Sequence, residues 1–62
     1  MHLKTEIIPE FETGGLVKHR RKLGLHVGIV IHVKTIVRGY DVQVVWPDGR
    51  IANHHSNCLE AI

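Results

Sequence analysis

The stretch 40–51, YDVQVVWPDGRI, limits what this chain can become more than any other part of it. Tyr40, Val42, Val44 and Trp46 alternate with Asp41, Gln43 and Val45, so one face is wholly apolar and the other mixed, as a half-buried strand requires. Pro47, Asp48 and Gly49 then supply the residue types of a tight turn. Proline presets φ, aspartate bonds back to the backbone, and glycine accepts positive φ without steric cost. Arg50, Ile51 and Ala52 open a return strand, and the pair reads as a β-hairpin with a short Gly-containing loop.

A chain of 62 residues is one domain at most. A domain of that size hides only about 60% of its unfolded surface, so docking, self-association or a cross-link is the usual source of added stability. Cys58 is the only cysteine, which excludes an internal disulfide and any paired-cysteine zinc motif and gives weight to docking or self-association. No apolar run approaches the ~18 residues of a membrane span. The first ten residues, MHLKTEIIPE, lack the apolar centre of a signal peptide. The expected location is intracellular, with no membrane partner.

Upstream of the hairpin, residues 26–37, HVGIVIHVKTIV, are rich in β-branched side chains and read as a long central strand. Its alternation is imperfect. Val27, Ile29, Ile31 and Val33 share one parity while Val30 and Ile36 fall on the other, which a bulge or a sharp bend would explain. Gly28 marks a place of close approach. Leu16 and Val17 begin a short first strand, and Arg38 and Gly39 make the turn into the hairpin. After Ile51 the polar segment around Asn53–His55 looks unlike a strand interior. Asn57 and Glu60 have capping-box spacing, and one turn of 3₁₀ helix before a short last strand is the economical reading. Leu59 and Ile62 are that strand's expected apolar contacts, and Val42, Val44, Trp46, Ile51 and Leu59 are expected to meet in one interior.

Residues 1–12 read as an extended N-terminal arm and residues 13–62 as the folded domain. Leu3, Ile7, Ile8 and Phe11 are apolar residues that the five-strand plan does not need, so the arm is the expected partner-binding element. Glu6, Glu10 and Glu12 make it acidic, whereas Lys18, His19, Arg20, Arg21 and Lys22 form an unbroken basic run in the following loop. That run is either a solvated loop or a contact for phosphates or an acidic partner. With a formal charge of only +2, any nucleic-acid binding is expected to be weak and to fall steeply with salt.

Six histidines raise the question of a metal. His54 and His55 are adjacent and would face opposite sides of an extended backbone. His26 and His32 are six residues apart, roughly 20 Å along a straight strand. A zinc site would need His54 or His55 with Cys58 and further ligands, so the ordinary roles, surface or hydrogen-bonding histidines, are preferred and no metal or cofactor is expected. Cys58 has no oriented base or pocket in prospect, Asp41 begins a strand and Asp48 makes a turn. No enzymatic activity and no small-molecule substrate is expected.

The order of elements resembles that of the SH3-like barrels, small five-stranded all-β folds in which a 3₁₀ turn precedes the last strand. More narrowly, Gly15-Leu16-Val17, Gly28-Ile29-Val30, the run from Val44 to Arg50 and the run from Ser56 to Ile62 are similar to short barrel proteins of unknown function encoded by tailed phages, notably marine ones. Small size, a scarce basic excess and an arm with apolar residues point to a structural or adaptor module making protein contacts, with itself or another protein, and the phage resemblance would make it a virion or assembly component. A second likeness, to the KOW segment, rests on Gly28, Val30 and Val33 and implies an accessory domain that meets RNA or DNA through Lys18 to Lys22. Phe11, Tyr40 and Trp46 are the only aromatic side chains apart from histidine, too few for a stacking platform.

Overall fold

The computed structural model describes residues 10–62. Five strands follow in chain order: β1 (Leu16–His19), β2 (Val27–Ile36), β3 (Gly39–Val45), β4 (Ile51–His55) and β5 (Leu59–Ala61). A 3₁₀ turn over Leu23–Leu25 links β1 to β2, and a second over Ser56–Cys58 links β4 to β5. All pairings are antiparallel, in the spatial order β4-β3-β2-β1-β5. One sheet has no second layer to cover it, so it rolls around its own inner face. Phe11, Val17, Val30, Val42, Val44, Trp46 and Leu59 are buried together there, with Leu25, Val33, Tyr40 and Ala52 packed at their margin. The domain is all-β, and the 3₁₀ turn before the last strand stands where the sequence places it.

Two irregularities decide which residues enter that interior. The first is in β2, where Val30 opposes Val44 but His32 opposes Gln43, so Ile31 is an extra residue and the ladder shifts. Before the shift Val30 faces inward; after it Val33 does, opposite the buried Val42. The mixed parity of β2 is therefore a bulge, as expected, and its cost is that Val27, Ile29 and Ile31 are left outside. The second is the β3–β4 turn. The Gly49 amide donates to the Trp46 carbonyl at 2.8 Å, the Trp46 amide donates to the Arg50 carbonyl at 2.9 Å, and Gly49 sits at φ +91°. This is a three-residue loop closed by glycine in the left-handed region.

The loop length corrects the expectation for Ile51. With three residues between Trp46 and Arg50, Val44 opposes Ala52 and Val45 opposes Ile51, so the inward residue is Ala52 and Ile51 is 58% exposed. The polar segment after it is also a true strand, since β4 runs through His55 as a sheet edge that tolerates polar outward residues. Ile62, expected to pack inward, is exposed. The capping box of Asn57 and Glu60 is replaced by His55, whose Nδ1 accepts the Asn57 amide at 3.0 Å.

Gly28 is required by contact rather than by φ. A Cβ there would collide with Val44 Cγ1 and come within 2.8 Å of the Trp46 ring, so the absence of a side chain is what lets the indole approach the β2 backbone this closely. Phe11 is a further correction. It is 3% exposed and belongs to the core of its own domain, so the folded unit begins before residue 13. The other proposed arm contacts, Leu3, Ile7 and Ile8, lie outside the described residues. Among the described residues no helix is long and apolar enough to cross a membrane.

Candidate functional site: the Trp46 hollow and the outer apolar row

The even-numbered inward register of the β3–β4 hairpin carries Trp46, Ala52 and His54 to one mouth of the rolled sheet. The Leu23–Leu25 turn folds Leu25 over the same place. Together with Lys22, Asp48 and Arg50 they line an open hollow of about 270 Å³. Its floor is apolar and its rim is charged. Arg50 and Asp48 form an exposed ion pair at 3.1 Å, of the kind worth little to stability. A smaller hollow of about 130 Å³ adjoins it, sharing Leu25, Trp46 and Asp48 and completed by Gly24, His26 and Pro47. His26 there has φ +63° and ψ −135°, a conformation that costs a non-glycine residue of order 1–3 kcal/mol.

Beside the hollow, His54 meets both His19 and Trp46 edge to face. The rings of His19 and His54 are 5.0 Å apart, and those of Trp46 and His54 are 5.5 Å apart at 79°. Hydrogen bonds fix the tautomers. Trp46 Nε1–H donates to His54 Nε2 at 3.2 Å, so that nitrogen carries no proton. His19 Nδ1 accepts from the amides of Arg21 and Lys22 at 3.1 and 3.0 Å and is likewise unprotonated. Burial lowers the pKa of His19, and the nearby charges of Lys22 and Arg21 lower it further. His54 is lowered by burial first, then by His19 and Lys22. His55 is locked from the other side. Its Nδ1 accepts the Asn57 amide, so Nε2 carries the proton and donates to the Arg38 carbonyl at 2.7 Å, tying the β2–β3 turn to the β4–β5 turn.

The fold does not bring all five residues of the basic run to the surface. Strand alternation turns Lys18 outward, opposite Glu60, and turns His19 inward, where it is 6% exposed and unavailable to a phosphate. Arg20 is exposed but tethered to the fold, its Nε donating to the Leu59 carbonyl at 3.1 Å and its amide to the Cys58 carbonyl at 2.8 Å. Arg21 is exposed, and Lys22 belongs to the Trp46 hollow. A charge run read along a chain overestimates a patch whenever part of it is strand, because alternate side chains leave by opposite faces. No group of three or more His, Cys, Asp or Glu suited to holding a metal occurs among the described residues.

The sequence gives little notice of the outer face. The Ile62 amide donates to the Leu16 carbonyl at 3.0 Å, Leu16 opposes Ile29, Ile29 opposes Val45, and Val45 opposes Ile51. These five side chains therefore form one apolar row on the outer side of β1 to β4, extended by Ile62 just past the end of β5. Leu16, Ile29, Ile51 and Ile62 are 47%, 48%, 58% and 66% exposed. Val27 and Ile31 flank the row on β2, also exposed. The signal was present as surplus apolar residues on the wrong parity of β2, but only the ladder registers show that they line up. No family model, curated protein or solved structure matches the chain at a significant level.

Proposed function

We propose that this domain is a non-enzymatic structural or adaptor module that works by protein–protein contact, and that its first partner is a second copy of itself. The observation that carries the reading is the apolar row Ile62–Leu16–Ile29–Val45–Ile51. Single exposed apolar residues need no explanation, but a contiguous row of them marks an interaction surface. Burying a large aliphatic side chain fully is worth about 1.5–3 kcal/mol, so covering several that are half exposed adds up to a useful association energy. A row that is apolar along its whole length is also self-complementary, which is what a two-fold contact needs.

The alternative, RNA or DNA binding through the loop after β1 in the manner the KOW likeness implies, has less support, since His19 is internal, the Arg20 Nε holds the Leu59 carbonyl and Lys22 lines the Trp46 hollow. Analytical ultracentrifugation of the full chain over a wide concentration range tests the preferred reading. A rising mass that Ile29→Asp and Ile51→Asp abolish, with an unchanged thermal midpoint, is the expected result. A monomer at every concentration, or association untouched by both substitutions, overturns it. Tight, salt-resistant retention on DNA or RNA would put the alternative first.

A further inference from the structure

Resting on the self-association reading, we infer that the Trp46 hollow is a peptide seat and that its occupant is the acidic, apolar segment Glu6-Ile7-Ile8-Pro9-Glu10 of a second copy. The hollow's chemistry is specific. Leu25, Trp46 and Ala52 give an apolar floor, and the rim carries two cations and one carboxylate: Asp48 is paired with Arg50, while Lys22 has no ion-pair partner among the described residues, so the rim is positive on balance. At about 270 Å³ it is smaller than the ~300–1,000 Å³ of small-molecule pockets and suits one or two side chains of a chain lying across it. The segment is its chemical complement, with two branched aliphatic residues and a proline between two glutamates. Proline adds a preset φ and no amide donor, so an extended backbone leaves fewer polar groups to satisfy over an apolar floor.

Where the segment leaves its own domain favours the neighbour. Glu10 and Phe11 help line a different hollow, with Val17, Val30 and Ile62, and that hollow shares no residue with the one over Trp46. Phe11 is thus an anchor at one part of the domain and Trp46 a receptor at another, an arrangement that lets copies exchange segments while each core stays complete. The His26 backbone strain lies beside the receptor, where a functional constraint would hold it.

Charge exchange tests the pairing. The full chain is prepared as wild type, as Lys22→Glu/Arg50→Glu and as Glu6→Lys/Glu10→Lys, with far-UV circular dichroism and thermal melting to verify folding and Lys22→Gln as a milder receptor variant. Each double variant alone should associate at least tenfold more weakly than wild type by sedimentation. An equimolar mixture of the two should recover most of the loss, and Trp46 emission should change with association in wild type and mixture only. Association unchanged in the receptor variant, or a mixture no tighter than its components, overturns this inference and leaves self-association through the outer row standing. A wild type that is monomeric throughout overturns both. A Trp46 response to Glu6→Lys/Glu10→Lys that is independent of concentration places the segment on its own domain and overturns the exchange.

Discussion

Along β2, Val30 and Val33 are drawn into the core, while Val27, Ile29 and Ile31, their equals in hydropathy, stand in solvent. Across the hairpin the same contrast separates Ala52, packed against the core, from the larger and more hydrophobic Ile51, which is exposed. Side-chain type does not sort these residues. Backbone counting does, through one extra residue at Ile31 and a three-residue loop after Trp46. An inner and an outer face built from the same aliphatic alphabet can then have separate roles, one holding the fold and the other meeting a partner.

The contrast is broken most forcefully from the inside. Trp46→Ala removes the largest side chain of the core, the cover of Gly28 and the donor to His54, and should cost about 3–5 kcal/mol, measured by urea unfolding. Phe11→Ala should cost a comparable ~3–5 kcal/mol, because the residue is part of the domain's own core. A Phe11→Ala protein with unaltered stability but lost association would return the residue to the arm.

Acid should act on the inner face through His19 and His54. His19 and His54 are held neutral by the amides and indole that donate to them, and their folded pKa values lie below the ordinary 6.5. Between the lowered value and 6.5 the unfolded chain binds more protons than the folded one, so stability is full above about pH 6.5 and declines as pH falls below it. Thermal midpoints should be level from pH 8 to 7 and drop towards pH 5. Replacing the accepting nitrogens by amide oxygens, in His19→Asn and His54→Gln, should flatten that drop. An equally steep decline in the double variant would assign the acid sensitivity elsewhere.

Gly49→Ala should cost about 1–2 kcal/mol, because a Cβ is disfavoured at φ +91° although nothing crowds the site. Smallest of all should be the outer-face substitutions. Ile29→Thr and Ile51→Thr should move stability by no more than about 0.5 kcal/mol, since both residues are half exposed and threonine keeps the β-branch. A loss of 2 kcal/mol or more at either would mean that the outer row is covered within the monomer.

Much of the fold was legible in the sequence. The alternation of 40–46 and the Pro-Asp-Gly turn fixed the hairpin, and the mixed parity of β2 called for a bulge or a bend, of which the ladder shows the bulge. What stayed hidden was register. Ile51 was misplaced because a loop's sequence names its turn residues but not how many positions the ladder skips. His19 was misread because five basic residues in a row mask a strand that alternates beneath them. The hollow was invisible for a related reason. Lys22, Leu25, Trp46 and His54 come from separate segments, and no spacing within one segment announces that they meet.

The paired irregularities of β2 and the β3–β4 turn also bear on how relatives of this chain are to be recognised. A one-residue gap at Ile31 or within Pro47–Gly49 would invert every face downstream of it, so an alignment free to place gaps there scores the core of one protein against the surface of another. Residue identity is a poor guide when both faces draw on valine and isoleucine. The durable signature is an interval pattern: inward positions at 17 and 19, at 28, 30 and 33, at 42, 44 and 46, at 52 and 54, and at 59, with glycine held at 28 and 49. A descendant that kept those intervals could exchange nearly every side chain and still present the same inside and outside.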